Sequence, residues 1–259
     1  MARRRPWRWI PRRARRPSDL LPVRLELSGY GSHVTSGFGT WRGGGGQLWI
    51  RASRFFVPAF IVESQTRPQG TQQNYTLFSY LNWSKWFYTT QGISYAPQKG
   101  IATIYFPKWR YDIKGHWKLP PGGSFVLGVG YTNFDYVEPG RGQIFNLGAI
   151  YYYKGLVLEW NGYLNENQPG DLWTGAGSFA MQYGSEGKYW FGVIVGGGRE
   201  QYRTIGVAPG EIRLTSYSTS MFYRRWLSRH AGFLIGFDYQ DKLNHYRRAG
   251  GSGGLFFEF

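Results

Sequence analysis

A membrane-spanning, up-and-down antiparallel β-barrel is the all-β fold class that this sequence predicts, and three observations predict it. Segments of about ten residues, in which apolar and polar side chains alternate, repeat along the chain between clusters of Gly, Pro, Asn and Asp. The composition joins 19% aromatic residues and 38 glycines to a formal net charge of +16. The sequence finishes Ser252-Gly-Gly-Leu-Phe-Phe-Glu-Phe259.

The 259 residues fit one large domain or two small ones. No apolar run approaches the ~20 residues of a membrane helix. The longest, such as Val57 to Val62 and Phe191 to Val195, are short. A strand with lipid on one side needs an apolar residue only at every second position. Mean hydropathy therefore stays negative while aromatics and Gly accumulate. Soluble all-β proteins share this composition, so it does not separate the two alone. The absence of Cys excludes disulfides, Cys-ligated zinc and thiol catalysis.

Strands are predicted over 23–33, 46–54, 57–66, 73–83, 87–97, 108–118, 124–136, 142–153, 155–165, 174–184, 188–202, 212–225, 231–243 and 248–259. That is about fourteen, within a range of about 12–16, and even numbers are the rule for single-chain bacterial barrels. In the first strand Val23, Leu25 and Leu27 oppose Arg24, Glu26 and Ser28. In the sixth, Trp109, Tyr111, Ile113 and Trp117 oppose Arg110, Asp112, Lys114, His116 and Lys118. The ninth sets Leu156, Leu158, Trp160 and Leu164 against Glu159, Asn161 and Asn165. The thirteenth sets Phe233, Ile235, Phe237 and Tyr239 against Asp238, Gln240 and Lys242. Faces this different need two solvents.

Connections divide the same way. Those after even-numbered strands read as tight turns, for example Lys154 and Ser185-Glu186-Gly187. Those after odd-numbered strands read as mostly longer: Thr35 to Gly45, Arg67 to Gln72, Gln98 to Pro107, Val137 to Arg141, Glu166 to Trp173 and Thr204 to Glu211. Periplasmic turns alternating with external loops give that pattern in an outer-membrane barrel, with both ends of the barrel domain on the periplasmic side. Trp83, Trp86, Tyr152, Tyr153, Trp173, Trp190 and Trp226 fall near strand ends, where an amphipathic ring suits the headgroup layer.

The C-terminal octapeptide resembles the insertion signal read by the barrel-assembly machinery, with Ser252, Gly254, Phe257 and Phe259 at its defining positions. Leu255, Phe257 and Phe259 are expected to form a lipid-facing stripe. The organisation over most of residues 23–259 further resembles the YaiO-type outer-membrane proteins. The resemblance rests on Gly29-Tyr30, Trp41, Ser94-Tyr-Ala-Pro97 to Phe106-Pro107, Leu127-Gly-Val-Gly-Tyr131, Gly196-Gly-Gly-Arg-Glu200 and Tyr246-Arg-Arg through Phe259. It implies a bacterial outer-membrane barrel associated with export of surface polysaccharide. The partners it implies are outer-membrane lipid and lipopolysaccharide, the assembly machinery, and periplasmic or inner-membrane export components. Nucleic acid is not expected among them. Where such proteins carry a signal or a helical-repeat domain, this chain has a basic tail over residues 1–22. Residues 1–17 hold eight arginines and no acid, half of the net charge. The tail reads as disordered. It is either an anion-binding segment anchored by Trp7 and Trp9 or a remnant of a longer precursor.

No catalytic pattern is present. His33, His116, His230 and His245 lack a Ser partner at matching height, and no HExxH, Walker or GxSxG motif occurs. An enzyme, a cofactor and a metal are therefore not expected, and a lipid-modifying enzyme is the remotest alternative. The chemical interest lies in the polar strand faces, with Arg24, Glu26, Arg51, Arg110, Asp112, Lys114, His116, Lys118, Glu159, Arg224, Asp238, Lys242 and Glu258 as pore-lining candidates. Arg110, Lys114 and Lys118 would form a basic ladder favouring anions. Bulky Trp49, Tyr163 and Phe256 on the same faces would narrow the interior. Two readings stay open: a conduit for glycan or another anionic solute, and a structural or docking barrel with a plugged lumen.

Overall fold

The computed structural model describes residues 21–98, 105–120, 122–136, 140–168, 170–203 and 211–259, with backbone alone for 200–203 and 211–214. The strands are β1 (Val23–Val34), β2 (Gly39–Ile50), β3 (Phe56–Arg67), β4 (Gly70–Leu81), β5 (Phe87–Tyr95), β6 (Trp109–Leu119) and β7 (Phe125–Asp135). They continue as β8 (Arg141–Tyr153), β9 (Leu156–Gln168), β10 (Leu172–Ser185), β11 (Tyr189–Arg203), β12 (Glu211–Trp226), β13 (Ala231–Lys242) and β14 (Tyr246–Glu258). Every strand pairs antiparallel with its sequence neighbours, and β1 pairs with β14 to close a fourteen-strand barrel.

Which face meets which solvent decides the class. Leu27, Leu77, Ile113, Val129, Leu147, Ile235 and Leu255 are each half or more exposed. Their strand neighbours Glu26, His116 and Glu258 are buried, as are Gln72, Asn74, Ser94 and Asn161. A soluble sandwich would show the reverse, because each large apolar side chain left in water forfeits about 1.5–3 kcal/mol. A barrel in lipid puts its apolar face outward. The sheet is therefore inside-out, as the period-two pattern predicts.

The barrel closes with its two ends on one rim. The Val23 amide donates to the Phe259 carbonyl at 3.2 Å, and the Phe259 amide returns a bond to the Val23 carbonyl at 2.9 Å. That rim also carries the connections 51–55, 82–86, 120–124, 154–155, 186–188 and 227–230. At 154–155 the backbone is a tight hairpin, with positive φ at Lys154 and Gly155.

The expected asymmetry of connections is corrected. β1 joins β2 through 35–38 and β3 joins β4 through 68–69, both tight. Among odd-numbered connections only 96–108 and 204–210 exceed the turns of the other rim, and residues 99–104 and 204–210 lie outside the described residues. Most strands run longer than read from the sequence and absorb the supposed loops, although β5, β7 and β13 are shorter. β2 is the largest departure: it spans Gly39–Ile50 where 46–54 is the predicted span. Gly43–Gly45 reads as loop, yet the whole Gly43-Gly-Gly-Gly46 run pairs with Leu27–Tyr30 on one side and Val62–Gln65 on the other. At Gly43 a Cβ would lie 2.6 Å from the Tyr30 ring and 2.3 Å from the Ser64 carbonyl oxygen, so only glycine fits. Arg51 consequently sits beyond the end of β2, at the rim, and not on a strand face.

Candidate functional site: a lumen in two sectors

The inward faces split into two differently built sectors. One centres on the β1–β14 seam. Arg24 and Glu258 are directly opposed there, and the Arg24 Nε donates to the Glu258 carboxylate at 2.9 Å. Arg24 also pairs with Glu186, whose turn between β10 and β11 lies across β14, β13 and β12 from β1. Arg51 approaches Glu186 to 3.8 Å, and Arg224 donates to Glu26 at 2.8 Å. Below these charges the Trp226 and Phe256 rings meet edge to face at 5.0 Å, with the Phe256 side chain fully buried. Arg24 and Arg224 lie over the same rings. Three arginines, three glutamates and two aromatic rings thus crowd this sector at the rim that holds both ends of the barrel. The remaining space is a cavity of about 460 Å³ lined by Gln47, Gln182, Trp190 and Phe222 among others.

The second sector spans β3 to β9. Its charges are dispersed. Arg110 forks onto Asp112 at 2.8 Å, and Thr132 donates to the same carboxylate at 2.6 Å. Lys114 reaches over β7 and β8 to donate to Asn161 at 2.8 Å, and Asn161 in turn donates to Glu159. Gly128 and Gly148 clear its path: a Cβ at either would stand within 3.0 Å of the lysine side chain. His116 stacks flat on Tyr88 at 4.4 Å, and Lys118 Nζ lies 5.2 Å from the Tyr88 ring centre. At the rim this sector opens into a cavity of about 660 Å³ lined by Tyr80, Tyr88, Tyr152, Trp86, Lys85 and Lys118 among others.

At the opposite end, Arg67 is held between Trp41 and Tyr105, at 3.9 and 4.2 Å from their ring centres. The Gln72 side-chain oxygen accepts from the Tyr105 and Phe106 amides at 2.6 and 2.8 Å. The described part of the 96–108 connection is thereby tied to β3 and β4.

Arg24, Glu26, Arg110, Asp112, Lys114, His116, Lys118, Glu159, Arg224, Asp238, Lys242 and Glu258 all fall on inward faces, with Arg51 at the rim. Asp238 pairs with Arg248 at 3.3 Å, and Lys242 lies over the Tyr246 ring. Trp49 joins Phe78 and Tyr80 in an inward aromatic group; Tyr163 and Phe256 also point inward. The basic ladder is not continuous, because Arg110 is neutralised by Asp112 and Lys114 is turned sideways to Asn161. The aromatic belt is corrected in part. Trp83, Tyr153 and Trp173 are outward and exposed, whereas Tyr152, Trp190 and Trp226 turn inward. Ser252 and Gly254 lie on the inward face of β14, and Leu255 and Phe257 on its outward face. Glu186 is not among the sequence candidates, because an acid in a three-residue turn carries no sequence signature of facing inward.

The family model described as YaiO membrane beta barrel domain matches residues 24–203. The chain belongs to this family. The match ends with β11, whereas the sequence resemblance covers most of 23–259; β12–β14 complete the same ring. Membership places the barrel in the bacterial outer membrane, as predicted. No curated protein sequence matches it. Among solved structures it is similar to a monoaromatic hydrocarbon channel, CymD, at 8% identity and a TM-score of 0.61, covering 93% of this chain and 89% of that one. It is similar to a bacterial polysaccharide outer membrane secretin at 7% identity and a TM-score of 0.57, covering 93% and 99%. Omp33 of Acinetobacter baumannii follows at 12% identity and a TM-score of 0.51, covering 92% and 99%. At these identities the likeness is one of fold, that of channel-type outer-membrane barrels.

Proposed function

We propose that this YaiO-type barrel is a conduit for an anionic solute across the outer membrane, with export of surface polysaccharide, alongside periplasmic or inner-membrane partners, as its setting. The observation that carries the reading is the β3–β9 sector, where Lys118 and Lys114 face the interior and the periplasmic rim opens into a cavity of about 660 Å³. An opening lined by cations and few acids favours anions. The test is the ion preference of the purified barrel in a planar bilayer. Wild type is expected to conduct, and Lys114→Glu combined with Lys118→Glu is expected to move the reversal potential across a salt gradient toward cations. A conducting wild type with an unmoved potential removes these lysines as selectivity elements.

The second reading, a plugged structural or docking barrel, is favoured by the seam sector, where charges and rings crowd the inward face. A wild type that inserts and does not conduct decides for it.

A further inference from the structure

We infer that the vestibule at the periplasmic rim between β3 and β8 is a binding site for an acidic saccharide. The inference deepens the conduit reading and rests on it only for the direction in which a ligand would travel.

The cavity is assembled from five places in the chain. Tyr80 comes from the end of β4, Lys85 and Trp86 from the turn after it, Tyr88 from the start of β5, Lys118 from the end of β6 and Tyr152 from the end of β8. The Lys118 amide donates to the Trp86 carbonyl at 2.8 Å, which fastens that turn to β6. Tyr88 is fixed by its flat stack on the buried His116, and Tyr80 by its contacts with Phe78 and Trp49. The walls are therefore set before a ligand arrives.

Their chemistry is of two kinds. Tyr80, Tyr88, Tyr152 and Trp86 line the cavity with aromatic carbon and, at its edges, with phenol and indole polar atoms that a ligand could meet. Among the described residues no hydrogen bond is made by the hydroxyls of Tyr80, Tyr88 and Tyr152, and no carboxylate lies within ion-pair distance of Lys85 or Lys118. Both ammonium groups rest instead on aromatic faces, 5.3 Å from the Trp86 ring centre and 5.2 Å from that of Tyr88.

A ligand that satisfies this set needs flat, weakly polar faces to cover the rings, hydroxyls to exchange hydrogen bonds with three phenols, and a negative charge for two ammoniums. A pyranose ring has an axial C–H face and an equatorial edge of hydroxyls, and a uronic acid adds the carboxylate. A plain anion leaves the rings wet, and a neutral sugar leaves the cations unpaired. The volume of about 660 Å³ lies within the ~300–1,000 Å³ typical of small-molecule sites. Glu159 is one inward position further along β9 from the Val157 that pairs with Tyr152, and it accepts a hydrogen bond from Asn161.

Isothermal titration of the folded barrel in detergent tests the inference, with trigalacturonate as the probe, maltotriose as the neutral sugar and citrate as the non-sugar polyanion. Saturable heat with trigalacturonate and with neither control is expected. Lys85→Gln combined with Lys118→Gln should weaken that binding by about tenfold or more, the loss of charge-assisted hydrogen bonds. Tyr80→Phe with Tyr152→Phe keeps the rings and should weaken it less. Heat-modifiable migration on gels certifies that each variant is folded. Equal binding of citrate would overturn the saccharide assignment. Unaltered binding in the lysine variant would overturn the location, and no binding of trigalacturonate would overturn the whole. Binding is read without transport, so a barrel that conducts anions and binds no saccharide sinks this inference and leaves the conduit. A barrel that binds and does not conduct does the opposite.

Discussion

Arg24 and Glu258 face each other across the β1–β14 seam, joined by a 2.9 Å hydrogen bond from Nε, with the glutamate side chain wholly removed from solvent. Two residues 234 positions apart in sequence thus form the ion pair that sits on the closure of the ring. A buried carboxylate is tolerable only while paired, and Glu258 has Arg24 and the Trp226 indole.

Arg24→Ala is therefore expected to destabilise the barrel by about 3–5 kcal/mol, since it strands the carboxylate. Replacing both partners, Arg24→Met with Glu258→Leu, should recover most of that loss. Urea unfolding in lipid vesicles, read from tryptophan fluorescence, measures both. A double variant no more stable than the single one would contradict the account.

Glu186 is the one acid that bridges from the β10–β11 turn to Arg24 and Arg51. Glu186→Gln removes the charge and keeps the shape. In a conducting barrel, single-channel current is expected to rise or grow noisier as the periplasmic mouth loosens. The effect should shrink when the wild type is measured in concentrated salt, which screens partly exposed pairs. Identical traces from the two proteins at low salt would separate this turn from the permeation path.

Gly254 has a physical reason to be glycine whatever its role in insertion. A Cβ there would stand 2.4 Å from the Leu27 carbonyl oxygen and 3.0 Å from the Ser28 Cα, both backbone atoms of the paired strand. Gly254→Ala should cost about 1–3 kcal/mol by forcing the seam apart. Gly253→Ala, with open space around it, should be close to neutral. Refolding yield and urea midpoint compare them; equal loss in the two variants would place the effect elsewhere.

Orientation is testable with single cysteines in a chain that has none. Gln69→Cys lies in the β3–β4 turn and Arg229→Cys in the β12–β13 turn, on opposite rims. A membrane-impermeant maleimide on intact cells is expected to label Gln69→Cys alone, and Arg229→Cys after the outer membrane is opened. The reverse pattern would invert the barrel.

What could be read from the sequence was what two solvents impose. The alternation in β6, Trp109 to Leu119, is unambiguous because lipid and lumen demand opposite side chains at adjacent positions. Strand ends were illegible for the same reason: past the lipid, both faces are polar, and a polar strand has the composition of a loop. Gly43–Gly45 looks like a linker and is strand, because Tyr30 and the neighbouring backbones occupy the space of its side chains. Inward direction at the rim was equally hidden. Tyr152 and Tyr153 are the same residue type side by side, and only register sends one to the cavity and the other to the headgroups. The face of each charged candidate could be derived from period two; its partner could not. Arg110–Asp112 are near in sequence, whereas Lys114–Asn161 and Arg24–Glu186 depend on which strands the ring brings together.

The closed ring also dictates an order of events. β1 pairs with β2 through a tight turn, but its other side waits for β14, and closing that gap means bringing together chain segments separated by nearly the whole barrel. Until then both outer strands offer open rows of amides and carbonyls, β1 along Val23–Val34 and β14 along Tyr246–Glu258, that any other strand could occupy. The time between the making of the first strand and the arrival of the last is the interval in which this protein needs protection from its own kind.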